Sequence, residues 1–312
     1  MIDFRKMVPA KLRRIYRNAK LVFTSDMEFT LRRLGYDERS IRGIAEQQLI
    51  KTYPELLAPK SVKAEINNHE AKIYSQFGED GILLYLFSKL GTTNRFFVEF
   101  GVSDGRENIS TNLLLNFGWN GFGIEGDPAT HRSAVDFYRS MLPGPAAERM
   151  KIARAMVTAE NINNLLRDNK VTGEIDLLSV DIDSNDYWVW KAINTISPRV
   201  VVLEYNGVLG NNKPITVSYN PDFRRFEHHA GGLYYGTSLP AAVKLGKEKG
   251  YTFVGCESSG GVNAFFVRSD IAQGKIESVT SEQGFYPQAR RIANLTQEQQ
   301  WDQIKHLPFT EV

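Results

Sequence analysis

The chain is predicted to be an α/β protein with a mostly parallel, doubly wound sheet, and three observations carry that prediction. Short aromatic and β-branched runs at residues 96–100, 122–124, 150–157, 175–181 and 199–206 alternate with stretches of helical periodicity. Acids close several of these runs, at Glu99, Glu125, Asp181 and Glu204. Ligands of open parallel sheets bind at the carboxyl ends of the strands, so the acids fall where a site is expected. Two further runs, residues 251–256 and 262–267, are joined only by Glu257-Ser-Ser-Gly-Gly, a connection short enough to predict an antiparallel hairpin.

Length and charge narrow the classes. At 312 residues the chain suits one large α/β domain with extensions, and 42% hydrophobic with 24% charged residues is ordinary for a globular protein. A net charge of +2 names no partner by itself. The single cysteine, Cys256, excludes an intrachain disulfide and fits a reducing, cytoplasmic setting; it reads as a small core residue. No run approaches the ~20 apolar residues of a membrane span, and the first residues lack the apolar core of a signal peptide.

Residues 1–70 are expected to form a basic helical extension. Arg5, Lys6, Lys11, Arg13, Arg14, Arg17 and Lys20 interleave with Met7, Val8, Leu12, Ile15 and Tyr16. Such a helix docks on the main domain with its basic face solvated, or lies on an anionic membrane surface as a peripheral contact. The main domain is expected over residues 71–270. In Ser75-Gln-Phe-Gly-Glu-Asp-Gly, Glu79 and Asp80 favour the start of an apolar helix from Ile82, while Gln76 lies close enough upstream to cover a ligand turn.

The central stretch is Phe96-Phe-Val-Glu-Phe-Gly-Val-Ser-Asp-Gly105, a buried strand running into a turn. Gly101 and Gly105 let the backbone turn sharply and approach a ligand. A helix follows, with Asn108 or Ser110 as its cap. Glu99 repels a pyrophosphate and attracts an amino group, so the acidic pattern disfavours a nicotinamide oxidoreductase, whose fingerprint is G-x-G-x-x-G. Glu125, at the next strand end, can accept both hydroxyls of a ribose. Asp127 before Pro128 reads as a helix cap, and Thr158 caps a helix over residues 159–167. The fourth strand ends in Asp181-Ile-Asp183-Ser-Asn-Asp186 and the fifth in Glu204-Tyr-Asn206. Residues 207–235, polar and rich in glycine and asparagine, are predicted to be a lid carrying His228-His229. Thr237 or Ser238 caps the next helix, and residues 271–312 form a tail with one helix near residues 297–306.

Taken together, these pieces resemble the FkbM-type family of S-adenosylmethionine-dependent methyltransferases. The resemblance lies in Ser75-Gln-Phe-Gly-Glu-Asp-Gly, Val98-Glu-Phe-Gly-Val-Ser-Asp-Gly, Gly123-Ile-Glu, Leu178-Ser-Val-Asp-Ile-Asp and Gly261-Val-Asn-Ala-Phe-Phe-Val-Arg268, in that order over about residues 72–270. It implies a Rossmann-like class I methyltransferase fold, seven strands with the last antiparallel, and methyl transfer to a hydroxyl of a sugar, glycan or natural product. Gln76, Glu99, Gly101, Ser103, Asp104, Gly105, Glu125 and Asp181 are then expected to hold S-adenosylmethionine. A hydroxyl needs a base or a divalent metal to lower its pKa. The base is expected to be Asp183, or His228 or His229 from the lid. The chain also resembles metal-dependent sugar O-methyltransferases in its Asp-x-Asp, which implies Mg²⁺ on Asp181, Glu204 and Asn206, although Glu204 and Asn206 stand where adjacent acids are the rule. The competing reading is that Asp183 and Asp186 only cap the following helix. The non-enzymatic alternative is a binding scaffold on the same fold. No basic stripe or N-methylation signature points to nucleic acid.

Overall fold

The computed structural model describes residues 63–288 and 295–312. The expected N-terminal helical extension falls on residues outside this range, apart from a short 3-10 turn at Glu65–His69. In chain order the elements that build the site are α1 (Glu79–Leu90), β1 (Phe96–Phe100), α2 (Thr111–Phe117), β2 (Asn120–Glu125), α3 (Pro128–Met141), β3 (Met150–Arg154), α4 (Ile162–Asp168), β4 (Gly173–Val180), α5 (Asp186–Ala192) and β5 (Ile196–Glu204). An insertion follows, holding β6 (Ile215–Val217) and α6 (Arg225–His228), before α7 (Leu239–Glu248), β7 (Tyr251–Cys256) and β8 (Asn263–Arg268). Short helices α8 (Ser269–Ala272) and α9 (Ser281–Gly284), then α10 (Gln297–Ile304) and β9 (Phe309–Glu311), complete the chain.

The main sheet runs β3-β2-β1-β4-β5-β8-β7, and β8 is antiparallel to both neighbours while the other pairs are parallel. This is the mostly parallel sheet with an antiparallel hairpin that the alternating elements and the glycine connection predict, and the Rossmann-like class I methyltransferase arrangement that the resemblance implies. Strand side chains alternate between faces. Val98, Phe100, Val201 and Leu203 pack on α4, α5 and α7, whereas Phe97, Val200 and Val202 pack on α1, α2 and α3. Chain reversal after β1 and β4 brings Glu99, Asp181 and Glu204 to one edge of this two-faced core.

Helix starts differ from the expected ones where side chains compete for backbone groups. Thr158 and Asn161 bond reciprocally, Thr158 N to Asn161 Oδ1 at 2.9 Å and Asn161 N to Thr158 Oγ1 at 3.2 Å. That local turn delays α4 to Ile162. Asp127 and Ser238 cap α3 and α7 as predicted, with Pro128 inside the first turn of α3.

Residues 207–235 are more built than a loop lid. Val208, Leu209, Ile215, Val217, Phe223 and Tyr235 bury themselves in a third apolar cluster with Ile304 from α10. β6 pairs with β9, so the tail and the insertion close on each other. The insertion is also stitched to the domain, with Trp188 Nε1 donating to Val217 O at 2.9 Å. No helix among the described residues is long and apolar enough to cross a membrane.

Candidate active site at the carboxyl edge of the sheet

The turn after β1 is shaped by close contacts within the chain. Gly101 has φ +77°, and a Cβ there would sit 1.7 Å from the carbonyl oxygen of Asp181 on the neighbouring strand. Gly105, at φ +84°, would press into Phe137 and Tyr138 of α3. Both glycines are therefore needed for packing the turn against β4 and α3, in addition to the sharp turn and ligand approach that sequence reasoning assigned to them. Ser103 also has a positive φ, 51°. Its N–H donates to Glu125 Oε2 at 2.7 Å, and Asp127 N donates to Oε1 of the same carboxylate at 2.8 Å. Glu125 thus ties the ends of β1 and β2 together and is held at the mouth of the cavity.

Glu99 is buried at 3% exposure and accepts from Ile109 N at 3.1 Å and from the Ser110 hydroxyl. Neither expected cap of α2 acts as one. Ser110 is spent on Glu99, and Asn108 donates to Val102 O at 2.8 Å and to Tyr138 Oη at 3.2 Å. Burial pushes the Glu99 carboxyl up to about 7, against the pull of the Ser110 and Ile109 hydrogen bonds.

Glu79 and Asp80 do more than favour a helix start. The Asp80 carboxylate accepts from the N–H groups of Ile73, Tyr74 and Ser75, each at 2.7 Å, and burial lifts its pKa to about 6. Glu79 accepts from Phe77 N and from Asn263 Nδ2, both at 2.8 Å, and burial raises it as well. Together the two acids fold residues 73–77 over the strand edge and set Gln76 in the cavity wall.

The cavity under this arch has a volume of about 1180 Å³. Gln76, Glu99, Gly101, Ser103, Asp104, Glu125, Asp181 and Asp183 line it, and Gly105 is the one expected donor residue that does not. Its basic residues are paired off, Lys72 with Glu107 at 3.1 Å and Arg106 with Asp104 at 2.8 Å. The wall therefore presents excess negative charge, which suits a ligand carrying an ammonium or sulfonium group and opposes a polyphosphate. A second pocket of about 530 Å³ opens on the far side of Glu125, between Ile124, Ala155, Met156, Val157 and Ile182. Glu125 lines both spaces, as a carboxylate accepting ribose hydroxyls between an apolar base and a charged tail would. Sequence reasoning missed this slot. Its only signal was the position of residues 155–157 just past a strand end.

Beyond β4 the acids converge. Asp181, Asp183 and Glu204 each offer a carboxylate oxygen, and the three oxygens lie within 4.8 Å of one another. Desolvation raises Asp181 and Glu204 well above the ordinary carboxylate range, and the neighbouring acids add to it. Asp186 stands apart from the trio, accepting from Ile182 N at 2.7 Å and Ser184 N at 3.0 Å, so it closes the turn before α5, whose N-cap residue Asn185 makes no side-chain cap hydrogen bond. Asp183, at φ 55°, is turned out of the strand toward the cavity.

Asn206, expected beside these acids as a metal ligand, has its amide hydrogen-bonded to the insertion. Its Oδ1 accepts from Val208 N at 3.1 Å, and its Nδ2 donates to Leu233 O at 2.8 Å and Tyr235 O at 3.0 Å. Fully buried, it anchors both ends of the insertion, and Asp183 takes the third place among the acids. The lid histidines also turn elsewhere. His228 stacks on Phe223 with ring centres 4.3 Å apart, and its Nδ1 lies 2.9 Å from Arg224 O. His229 Nδ1 accepts from Leu233 N at 3.2 Å. From the same short helix it is Arg225 and Phe226 that face the site, Arg225 forming an ion pair with Asp183.

No protein-family model matches the chain, and no curated protein matches it. Solved structures do. Magnesium protoporphyrin IX methyltransferase (ChlM) from Synechocystis PCC 6803, with bound SAH, is 12% identical over 61% of this chain and 82% of its own, with a TM-score of 0.40. An O-methyltransferase from Bacillus cereus in complex with SAH is 15% identical over 70% and 97%, with a TM-score of 0.39. The N-terminal domain of EvdMO1 with SAH bound is 12% identical over 71% and 94%, with a TM-score of 0.39. Likeness this loose transfers neither activity nor substrate, and the fold assignment rests on the strand order and register described above.

Proposed function

We propose that the protein is an S-adenosylmethionine-dependent O-methyltransferase of FkbM type, acting on a hydroxyl of a sugar, glycan or natural product. The observation that carries this reading is one acidic cavity that joins Glu99 and Glu125 at one end to Asp181 and Asp183 at the other. The donor side suits a nucleoside with a cationic tail, with the apolar slot at Met156 and Val157 for the base, Glu125 for the ribose hydroxyls, and Glu99 and Asp104 toward the amino and sulfonium groups.

When bound, S-adenosylmethionine supplies a methyl group already activated by its sulfonium, so the protein's tasks are alignment and removal of one proton. Asp183 lies at the boundary of the cavity and of a smaller pocket of about 270 Å³ that also reaches Glu204 and Arg225. An acceptor hydroxyl in that pocket would face Asp183, which takes its proton as the oxygen–methyl bond forms and the sulfur–methyl bond breaks. The products are a methyl ether and S-adenosylhomocysteine. Phe226, 68% exposed on α6, offers the apolar face of an acceptor ring a surface to rest on. The test is incubation with methyl-labelled S-adenosylmethionine and a panel of hydroxyl acceptors. Label on an acceptor oxygen with matching S-adenosylhomocysteine release supports the reading. Saturable binding of S-adenosylmethionine with no transfer to any acceptor in a broad panel favours the scaffold alternative.

A further inference from the structure

The acidic trio at the ends of β4 and β5 already has a cation beside it, and that cation belongs to the chain. Arg225, on α6 of the insertion, forms an ion pair with Asp183 through Nη1. Its position is fixed from two other sides. Nε donates to Gly232 O at 2.8 Å, and the guanidinium lies 3.7 Å from the centre of the Tyr235 ring. The side chain is 13% exposed, against 53% for Asp183, so the arginine is the buried partner of the pair.

This arrangement leaves one acceptor unmet. Glu204 is 5% exposed, lines the pocket that Arg225 closes, and its Oε2 has no hydrogen-bond partner among the described residues. A buried carboxylate oxygen without a partner is costly, and neighbouring carboxylates repel one another. A small hard divalent cation would meet all three carboxylates at once, since oxygens within 4.8 Å of one another need only a modest contraction to reach metal–oxygen distances of ~2.1 Å. The guanidinium neutralises Asp183 and repels a second cation, so the two compete for the trio.

We propose that Arg225 is the resident counter-ion of this trio, and that a divalent cation occupies Asp181, Asp183 and Glu204 only by displacing it. Cation binding and closure of α6 over the acceptor pocket then exclude each other. The inference rests on the reading of this pocket as the acceptor side of the site, and its test is a binding measurement that does not require methyl transfer.

The experiment titrates MnCl₂ into the full-length protein and follows free Mn²⁺ by electron paramagnetic resonance. Arg225→Gln is expected to bind Mn²⁺ at least tenfold more tightly than the wild type, Arg225→Lys to fall between them, and Arg225→Gln with Asp183→Asn to lose the gain. Equal affinity in wild type and Arg225→Gln overturns the proposal, as does no binding in either, or a gain that survives Asp183→Asn. Should Arg225→Gln fail to fold, hydrogen exchange on the wild type decides the question. Saturating Mn²⁺ must raise exchange over residues 222–235, and unchanged exchange there overturns the competition. Label transfer without any such Mn²⁺ effect would retain the methyltransferase reading and discard only this inference.

Discussion

Replacing Gly101 with alanine separates two reasons for a glycine in the β1 turn. A glycine kept for ligand approach would leave stability nearly intact when changed to alanine and weaken only binding. The structure gives a different reason, because the new Cβ would lie 1.7 Å from Asp181 O, where contacts under 3.0 Å force a shift. The obstacle is backbone, so β1 and β4 must part by more than 1 Å at the centre of the sheet, at about 1–3 kcal/mol for overpacking. The left-handed conformation at φ +77° adds about 1–2 kcal/mol for a residue with a Cβ. Gly91 supplies the control, having φ +71° and no atom within 4 Å of the added carbon. Gly91→Ala should therefore lose about 1–2 kcal/mol and Gly101→Ala about 2–5 kcal/mol, measured by urea unfolding at a common pH with unchanged slope. Equal losses in the two variants would refute the packing argument and return Gly101 to the ligand.

Three further outcomes follow from the same structure. Glu99 and Glu257 have folded-state pKa values raised from 4.5 to about 7 and about 8, chiefly by burial. Between those limits the folded state holds more protons than the unfolded, so the stability these groups contribute is full below about pH 4.5 and falls as pH rises, by up to about 1.4 kcal/mol per unit for each group. Melting scans from pH 5 to 8 should show this decline and its flattening in Glu99→Gln; a melting temperature that rises with pH contradicts it. Asn206→Ala strands the carbonyls of Leu233 and Tyr235 and the Val208 N–H, so unfolding should lose about 2–3 kcal/mol while Mn²⁺ affinity in the Arg225→Gln background stays put. A lost Mn²⁺ site there would reinstate Asn206 as a ligand. Removing residues 307–312 takes away β9, the partner of β6, and should speed hydrogen exchange at residues 215–217; unchanged exchange would show that the tail does not hold the insertion.

Much of the sheet could be read from the sequence because its signals are local. The run Phe96–Phe100 and the hairpin glycines after Cys256 announce their own conformation, and strand-end acids such as Glu125 and Asp181 take their place from the strands that carry them. What escaped the sequence depends on partners far along the chain. Gly101 is a glycine because of a carbonyl on β4, and Asn206 looked like a ligand until its amide met the far end of the insertion. Arg225 lies 42 residues from the Asp183 it pairs with, on a stretch with no periodic pattern. Ser110 was a sound cap by residue type, yet the buried Glu99 carboxylate had the stronger claim on its hydroxyl. The N-terminal expectation fell on residues outside the described range.

The central claim is that a cationic nucleoside binds across the ends of β1 and β2 with Glu125 at its ribose, and a calorimetric titration of S-adenosylmethionine tests it most directly. The wild type should bind one equivalent saturably, and Glu125→Ala should bind about 1–3 kcal/mol more weakly, a factor of roughly 5–150. Unfolding midpoints measured alongside show whether the turn at Ser103 has survived the loss of its carboxylate partner. Absence of binding by the folded wild type, or equal affinity in a folded Glu125→Ala variant, would contradict the account.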